Sequence, residues 1–503
     1  MSDRTVAKTL RSDAPLVVVE APAGCGKTHQ GAEYARDVAT ASPGRVLIVT
    51  HTHAACNVFT ERTAGVGRRV EIRTIDSLIA QVASAYHGGL GLPADIGAWT
   101  RRTPKGHAQL AARVARLVDR HPMVAAAIAV RYPTIICDEH QDSSGDQHAV
   151  VMALLRQGSR TRIFGDPMQH IYKEDQKSAA SATCDWTMLL KGADACASLT
   201  TPHRWSGGCS ELGRWTLEAR ATLKAGSQID LTGALPRSVK VVLAENISQK
   251  AQGLRYSEGK PIFDVEKRAQ SLLVLTRYNE ATRSCRGMFY RRLPLWEGHT
   301  RSALEQLIDD LHAAQSDAAT VAGATVRFLG KVGKGFTKKA FADRFEREAR
   351  EGCLTACKGK PALLQELASF VVGQPDHRGV AVMLSKLYAL RGSDPAFREI
   401  EIDHFSEYWD AVHLGRFDDV EAGLAELTNR RTFVRPKLPA KAISNIHKAK
   451  GLECGNVILM PVDAKTFPDK HDARCLLYVA LSRAKDGLTI VASKANPSPL
   501  LRV

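Results

Sequence analysis

The chain has 503 residues, 44% hydrophobic and 24% charged, with a formal net charge of +16. That length exceeds one ordinary core and suits two to four domains of a globular protein. No apolar run approaches the ~20 residues of a membrane span, which argues against an integral membrane protein. The basic excess favours a polyanionic partner, because Lys and Arg displace counterions condensed on phosphates. Charge alone does not separate nucleic acid from an acidic membrane face or an acidic protein. Residues 1–10 are polar and lack a hydrophobic signal core, so the expected location is the cytoplasm. The eleven cysteines are scattered, as expected of reduced thiols. Cys353 and Cys357 are spaced to share a helix face, and no second pair has zinc-site spacing.

In chain order, short apolar runs at 16–20, 45–50, 70–73, 133–137 and 161–164 read as buried strands. Helical patterns lie between several of them, which predicts a parallel α/β sheet. Within this region, 79–131 is rich in Ala and Arg and reads as a helical insert. The strand grammar returns at 272–276, 442–446, 456–460 and 488–492, predicting a second α/β domain. Between them, 300–435 is rich in Ala, Leu, Lys, Arg and Glu and reads as helical. The stretch 430–441, with Pro436 and Pro439, reads as a stiff basic linker.

The first strand runs into Ala21-Pro22-Ala23-Gly24-Cys25-Gly26-Lys27-Thr28 and then a predicted helix. Strand, glycine loop and helix start form the context of a P-loop. Gly24 and Gly26 let backbone N–H groups close around phosphate oxygens. Lys27 is placed to reach the β- and γ-phosphates of ATP, and the Thr28 hydroxyl to ligate Mg²⁺. Ala21 replaces the usual first glycine of the motif. The strand at 133–137 ends in Asp138-Glu139, a Walker B arrangement. Asp138 is the expected Mg²⁺ ligand. Glu139 is the expected residue to orient and deprotonate the attacking water.

Asp138-Glu139-His140-Gln141-Asp142 resembles the Asp-Glu-x-Gln-Asp box of superfamily 1 helicases of the UvrD/Rep/PcrA type, and further boxes follow in family order. Gly165-Asp166-Pro167-Met168-Gln169-His170-Ile171-Tyr172 is similar to motif III, and Thr201-Pro202-His203-Arg204-Trp205 to a divergent motif IV. Residues 444–453, Ser-Asn-Ile-His-Lys-Ala-Lys-Gly-Leu-Glu, match motif V, and 478–485, Tyr-Val-Ala-Leu-Ser-Arg-Ala-Lys, match motif VI. The resemblance implies that Gln169 couples the γ-phosphate to the DNA side. It also implies that Arg204 and Arg483 are arginine fingers and that Glu453 contacts the ribose. The implied fold is two RecA-like parallel-sheet domains with helical insertions, a P-loop NTPase. The implied layout is 1–78 with 132–205 for the first domain and 79–131 for a reduced insert. Residues 206–299 with 441–503 make the second domain, and 300–440 a second insert.

The resemblance also implies a single-stranded DNA track. Thr50-His51-Thr52-His53 resembles motif Ia and Thr74-Ile75-Asp76-Ser77 motif Ib. Thr52 and Ser77 hydroxyls suit phosphates. His51 stands where relatives have a stacking Phe, and Tyr172 and His447 complete the expected track. Two departures weaken it: Glu174 replaces a stacking aromatic, and Asp76 replaces a histidine. The adenine-reading glutamine is missing too, the first Gln being Gln30. A basic stretch of Arg327, Lys331, Lys334, Lys338, Lys339 and Arg344 with Phe336 and Phe341 reads equally as a backbone contact or as a solvated helix face with core aromatics.

The leading expectation is an ATP-dependent helicase or translocase moving 3′ to 5′ on single-stranded or partly duplex DNA. The alternative is a nucleic-acid-sensing ATPase that regulates a partner such as a nuclease, as in small UvrD-like proteins of bacterial anti-phage systems. With Val503 soon after motif VI, any cutting is expected to fall to another protein.

Overall fold

The computed structural model describes residues 2–172, 184–247, 253–297, 301–336, 341–433 and 438–503, with the side chains of 429–433 left out. Glu174, Lys338, Lys339, Pro436 and the side chain of Arg430 lie outside the described residues. The chain forms two compact units, Met1–Phe289 with Asn445–Val503, and Tyr290–Ser444.

The first unit holds two large parallel sheets. The first is built from β1 (Leu16–Glu20), β2 (Val46–Thr50), β3 (Val70–Thr74), β4 (Thr134–Cys137), β5 (Arg160–Gly165) and β6 (Ala195–Ser198). Their spatial order is β3-β2-β4-β5-β1-β6. Register sets Val18 beside Ile163 and Ile48 beside Ile136. β1, β2 and β4 are near-continuous apolar runs because helices cover both faces. Leu16, Val18, Leu47, Val49 and Ile135 enter one core with Leu110 and Val114 of the helix Gly106–Arg120. Val17, Val19, Val46, Ile48 and Ile136 enter the other with Tyr34 and Ala35 of the helix Lys27–Ala41. The two-residue alternation of strand side chains sorts neighbours into opposite cores. Because all six strands are parallel, the loops after Glu20, Thr50, Thr74, Cys137, Gly165 and Ser198 gather at one edge, where ligands bind in open α/β sheets.

The second sheet carries Leu272–Thr276, Cys454–Val462, Ala484–Ser493 and Val239–Ala244 side by side, again parallel. Ile458 lies between Val274 and Thr489. The helix His471–Leu481 links two of these strands and is buried on every face from Ala473 to Leu481. A helix covered on every side in this way belongs inside a protein.

The second unit is mainly helical, from Ser302–Ala314 to Val420–Phe433, around a core that includes Leu304, Phe328, Phe345, Leu367, Leu384 and Tyr408. Two expectations resolve here. Gly352, with φ +70°, ends the helix Asp343–Glu351, so Cys353 and Cys357 lie in the following turn and not on a shared helix face. Their thiols bond to Gln365, Cys353 also to the Glu348 carbonyl. In the basic stretch, Phe341 is buried between Phe336 and Phe345, Arg327 pairs with Asp310 and Arg344 with Glu348. Those residues serve the unit's own packing. Among the described residues, no helix is long and apolar enough to cross a membrane.

Candidate active site

The phosphate loop follows β1 directly. Ala21 N–H donates to the Gly165 carbonyl (2.8 Å), and Cys25 N–H to the Pro22 carbonyl (3.2 Å). Gly24 and Gly26 adopt φ of +75° and +84°, the left-handed region. Gly26 opens the helix Lys27–Ala41 with no side chain capping its first turn, an arrangement suited to an anion. Burial pushes the Cys25 thiol up to about 12, so it acts as packing, not as a nucleophile. A Cβ on Gly24 would fall 2.8 Å from Arg204 Cβ and from the Trp205 ring. Gly24→Ala therefore combines a left-handed alanine, about 1–2 kcal/mol, with overpacking of about 1–3 kcal/mol. The expected result is a clear fall in the urea midpoint at unchanged m-value.

Asp138 and Glu139, at the end of β4, sit beside it. Asp138 N–H donates to the Val49 carbonyl (2.8 Å), which fixes the strand end, and Glu139 takes φ +55°. A bulky residue in that region stores about 1–3 kcal/mol and marks a constrained site. Lys27 pairs with Glu139 and lies 3.7 Å from Asp138 Oδ1. Gln141 Nε2 donates to Glu139 Oε2 (2.6 Å), while Gln141 Oε1 accepts from Asp166 N–H (3.1 Å). Burial raises the Asp138 carboxyl to about 6, with Lys27 opposing. Burial also pushes Glu139 up, but Lys27 and Lys450 outweigh it and hold Glu139 low. Burial alone would lower Lys27, yet Glu139 and Asp138 raise it, so the ammonium stays charged.

Asp138 is 4% exposed, and among the described residues its Oδ1 has the Lys27 ammonium at 3.7 Å but no hydrogen-bond partner. The neighbouring strand end has the same feature in the Thr50 hydroxyl. A buried, unsatisfied carboxylate oxygen is costly unless a cation claims it. With the half-buried Thr28 hydroxyl at the helix start, the donor set is all oxygen, which fits a hard divalent ion such as Mg²⁺.

The motif III segment is anchored from below. Asp166 is fully buried and accepts from Arg220 Nη2 (2.6 Å), Met168 N–H (3.1 Å) and Gln169 Nε2 (3.0 Å). Arg220 also reaches Glu20 at the end of β1 (2.7 Å). Burial lowers Arg220, and Asp166 more than reverses this, so the guanidinium is permanently charged. Thus the side chain of Gln169 rests on Asp166, while its backbone carbonyl accepts from Lys450 Nζ (2.8 Å).

Residues from the segments flanking the second sheet meet this edge. Tyr478, fully buried, accepts from the Ala23 N–H of the phosphate loop (2.8 Å). Trp205 Nε1 donates to the Ala484 carbonyl (2.8 Å). Arg204 donates from its backbone to the Gly24 carbonyl (3.0 Å), and its guanidinium binds Glu453 (2.7 Å) and the Ser482 carbonyl (2.6 Å). Arg483 is 2% exposed and donates to the carbonyls of Val479 (2.9 Å) and Leu452 (3.2 Å) and to Ser482 Oγ (2.7 Å). Burial, then the neighbouring Arg204, lower Arg483 to about 10.

The family comparisons fall on these same segments. The UvrD/REP helicase N-terminal domain matches residues 98–173, spanning Asp138–Asp142 and Gly165–Tyr172. The UvrD-like helicase C-terminal domain matches residues 442–491, spanning Glu453, Tyr478 and Arg483. The chain is a UvrD/Rep-like superfamily 1 helicase. No curated protein matches it. Its two parallel sheets are the two RecA-like domains of a P-loop NTPase.

Around the helicase's sheet edge, the expected track residues are distributed as follows. Thr52 caps the helix His53–Arg62, accepting from Ala55 N–H (3.2 Å). His51 is hydrogen-bonded to Ser143 Oγ (3.0 Å), and burial lowers its imidazole, so the ring is neutral. Ser77 lies in the first turn of the helix Ile75–Ala85, its N–H capped by Thr74 Oγ1 (3.1 Å). Asp76 is not a bare charge, because Gln147 Nε2 donates to it (2.8 Å). Tyr172 is 50% exposed, with its ring centroid 6.4 Å from that of His447. Lys450 joins the groups: its Nζ bonds to Asp142 (2.5 Å) and lies 4.9 Å from the Tyr172 ring centroid.

Sequence reasoning assigned no role to Lys450, Tyr478, Trp205 or Arg220. For Arg220 a signal existed: it interrupts the buried face Leu212, Thr216, Ala219, Leu223 of the helix Ser210–Lys224. A lone Arg on such a face calls for a carboxylate partner.

Proposed function

We propose that this helicase hydrolyses ATP and uses the cycle to move 3′ to 5′ along single-stranded DNA, parting the duplex it meets. The carrying observation is the Lys27–Glu139–Asp138 cluster at the C-terminal edge of the first sheet, next to Arg204 and Glu453. The loop 21–28, Lys27 above all, would bind the phosphates, and Glu453 the ribose. Thr28 and Asp138 would hold Mg²⁺, which supplies charge neutralisation on the phosphate oxygens. Lys27 engages Glu139 here. A triphosphate competes for the same ammonium, and its capture would free Glu139 and raise its basicity toward a water. Arg204 would then exchange Glu453 for developing phosphate charge.

Lys450 offers the route from this chemistry to the strand. It touches Asp142 and the Gln169 carbonyl on the nucleotide side and Tyr172 on the other. His51, Thr52, Ser77, Tyr172 and His447 would form the DNA track, with the polarity inferred from the family.

One observation favours a second reading, a DNA-sensing ATPase that regulates a partner such as a nuclease. Arg483 is already satisfied by neighbouring carbonyls and one hydroxyl, so a full catalytic set requires a rearrangement that a partner is able to control. ATP turnover by the purified chain, with and without single-stranded DNA and beside Lys27→Ala, separates the two. The motor predicts strong stimulation by DNA alone, lost in the variant. Turnover indifferent to DNA would sink the autonomous motor.

A further inference from the structure

The middle residue of the Asp138–Asp142 box, His140, has no part in the nucleotide chemistry above. It is 2% exposed and turns away into the protein. Its Nε2 lies 3.0 Å from His148 Nδ1, and the Cys184 Sγ converges on the same point. The three donor atoms all lie within 4.8 Å of one another, with His140 and Cys184 buried and His148 half-buried. They come from three separate segments: the turn after β4, the helix Gly145–Arg156, and the approach to the helix Trp186–Lys191.

We propose that His140, His148 and Cys184 form a binding site for a zinc-class divalent ion, separate from the magnesium site at Asp138 and Thr28. Two imidazole nitrogens and a thiol are a borderline-soft donor set, which selects zinc or cobalt over magnesium. Zinc bonds of about 2.0–2.3 Å reach all three atoms from one point after small side-chain adjustments. The surroundings match a metal-ligating histidine. His140 Nδ1 is 3.1 Å from Ser143 Oγ, which in turn contacts His51 Nε2 (3.0 Å). A second hydrogen bond of this kind fixes the ring and its tautomer, leaving the opposite nitrogen as ligand. The segments are also tied by the Cys184 N–H bond to the Ser143 carbonyl (3.2 Å). Loading the ion displaces the thiol proton of Cys184, since the thiolate is the ligand. Three protein ligands leave a fourth position for water. The bound ion would cross-tie the turn that carries Glu139 to the helix behind it.

The test is cobalt(II) titration of the chelator-treated full chain in excess Mg²⁺, read by thiolate-to-cobalt charge transfer and d–d absorption. Wild type is expected to saturate at one equivalent. Cys184→Ser should lose the charge-transfer band, and His148→Gln should weaken binding at least about tenfold. Cys196→Ser, at an exposed thiol, should match wild type. No charge-transfer band in wild type would overturn the site and leave an imidazole–imidazole hydrogen bond. An undiminished band in Cys184→Ser would overturn it equally. The wild-type titration can fail by itself, so a misfolded variant does not protect the proposal.

Discussion

Glu139→Gln is expected to lower DNA-stimulated ATP turnover by about 10²–10⁴-fold while ATP binding persists, the range for loss of a general base. Glu139 is set up for this role by its surroundings. Its left-handed backbone projects it from the end of β4, Gln141 orients one carboxylate oxygen, and Lys27 neutralises the other. The amide keeps the shape and the Gln141 contact but accepts no proton. It also releases Lys27 from its strongest partner, so nucleotide affinity should hold or rise. The measurement pairs steady-state turnover with equilibrium binding of a fluorescent ATP analogue. Unchanged turnover would remove Glu139 as the base. Loss of both binding and turnover would point to a collapsed site.

Much of this site was legible because its chemistry is compressed into short runs. Strand, glycine loop and lysine occupy 16–28, and strand, Asp and Glu occupy 134–139, so local pattern placed them at one sheet edge. Strand bounds at 16–20 and 272–276 agree with the structure to the residue, since continuous Val, Ile and Leu runs have one good packing solution there. The strands Ala195–Ser198 and Val239–Ala244 were not read. The first is short and lacks β-branched residues, and both sit at the ends of their sheets, where half the apolar signal is missing. Long-range partnerships were invisible for a different reason. Tyr478 with Ala23, Arg220 with Asp166, and His140 with Cys184 join residues whose proximity is created only by the parallel crossovers. Asp76 illustrates the same limit in reverse. Its sequence read as a departure that weakens the DNA track, and the fold pairs it with Gln147.

The two motif arginines should separate in experiment, although both were expected to act as fingers. Arg204→Ala is expected to cost turnover on the order of the 10³–10⁵ attributed to an arginine finger. Its guanidinium is held by Glu453, which is 44% exposed, and by one carbonyl, an arrangement that a phosphate can displace. Arg204 Nε is buried and has no partner among the described residues, so a donor is already poised for a new acceptor. Arg483 starts from the opposite condition. Its three contacts with Val479, Leu452 and Ser482 are internal, and burial holds its pKa near 10. Arg483→Ala strands those acceptors, at about 1–3 kcal/mol for a buried polar group left unpaired. Unfolding of that variant without nucleotide should therefore shift by at least that amount. Arg483→Lys keeps the charge but not the fork that reaches three acceptors at once. If Arg483 also reaches the nucleotide, it must first abandon these partners. Nucleotide stabilisation of wild type would then fall short of the new contact's full value by the cost of leaving those partners. Urea midpoints with and without a non-hydrolysable ATP analogue measure both terms. Full stability in Arg483→Ala with turnover lost would make Arg483 a finger alone, and lost stability with turnover retained would make it a strut.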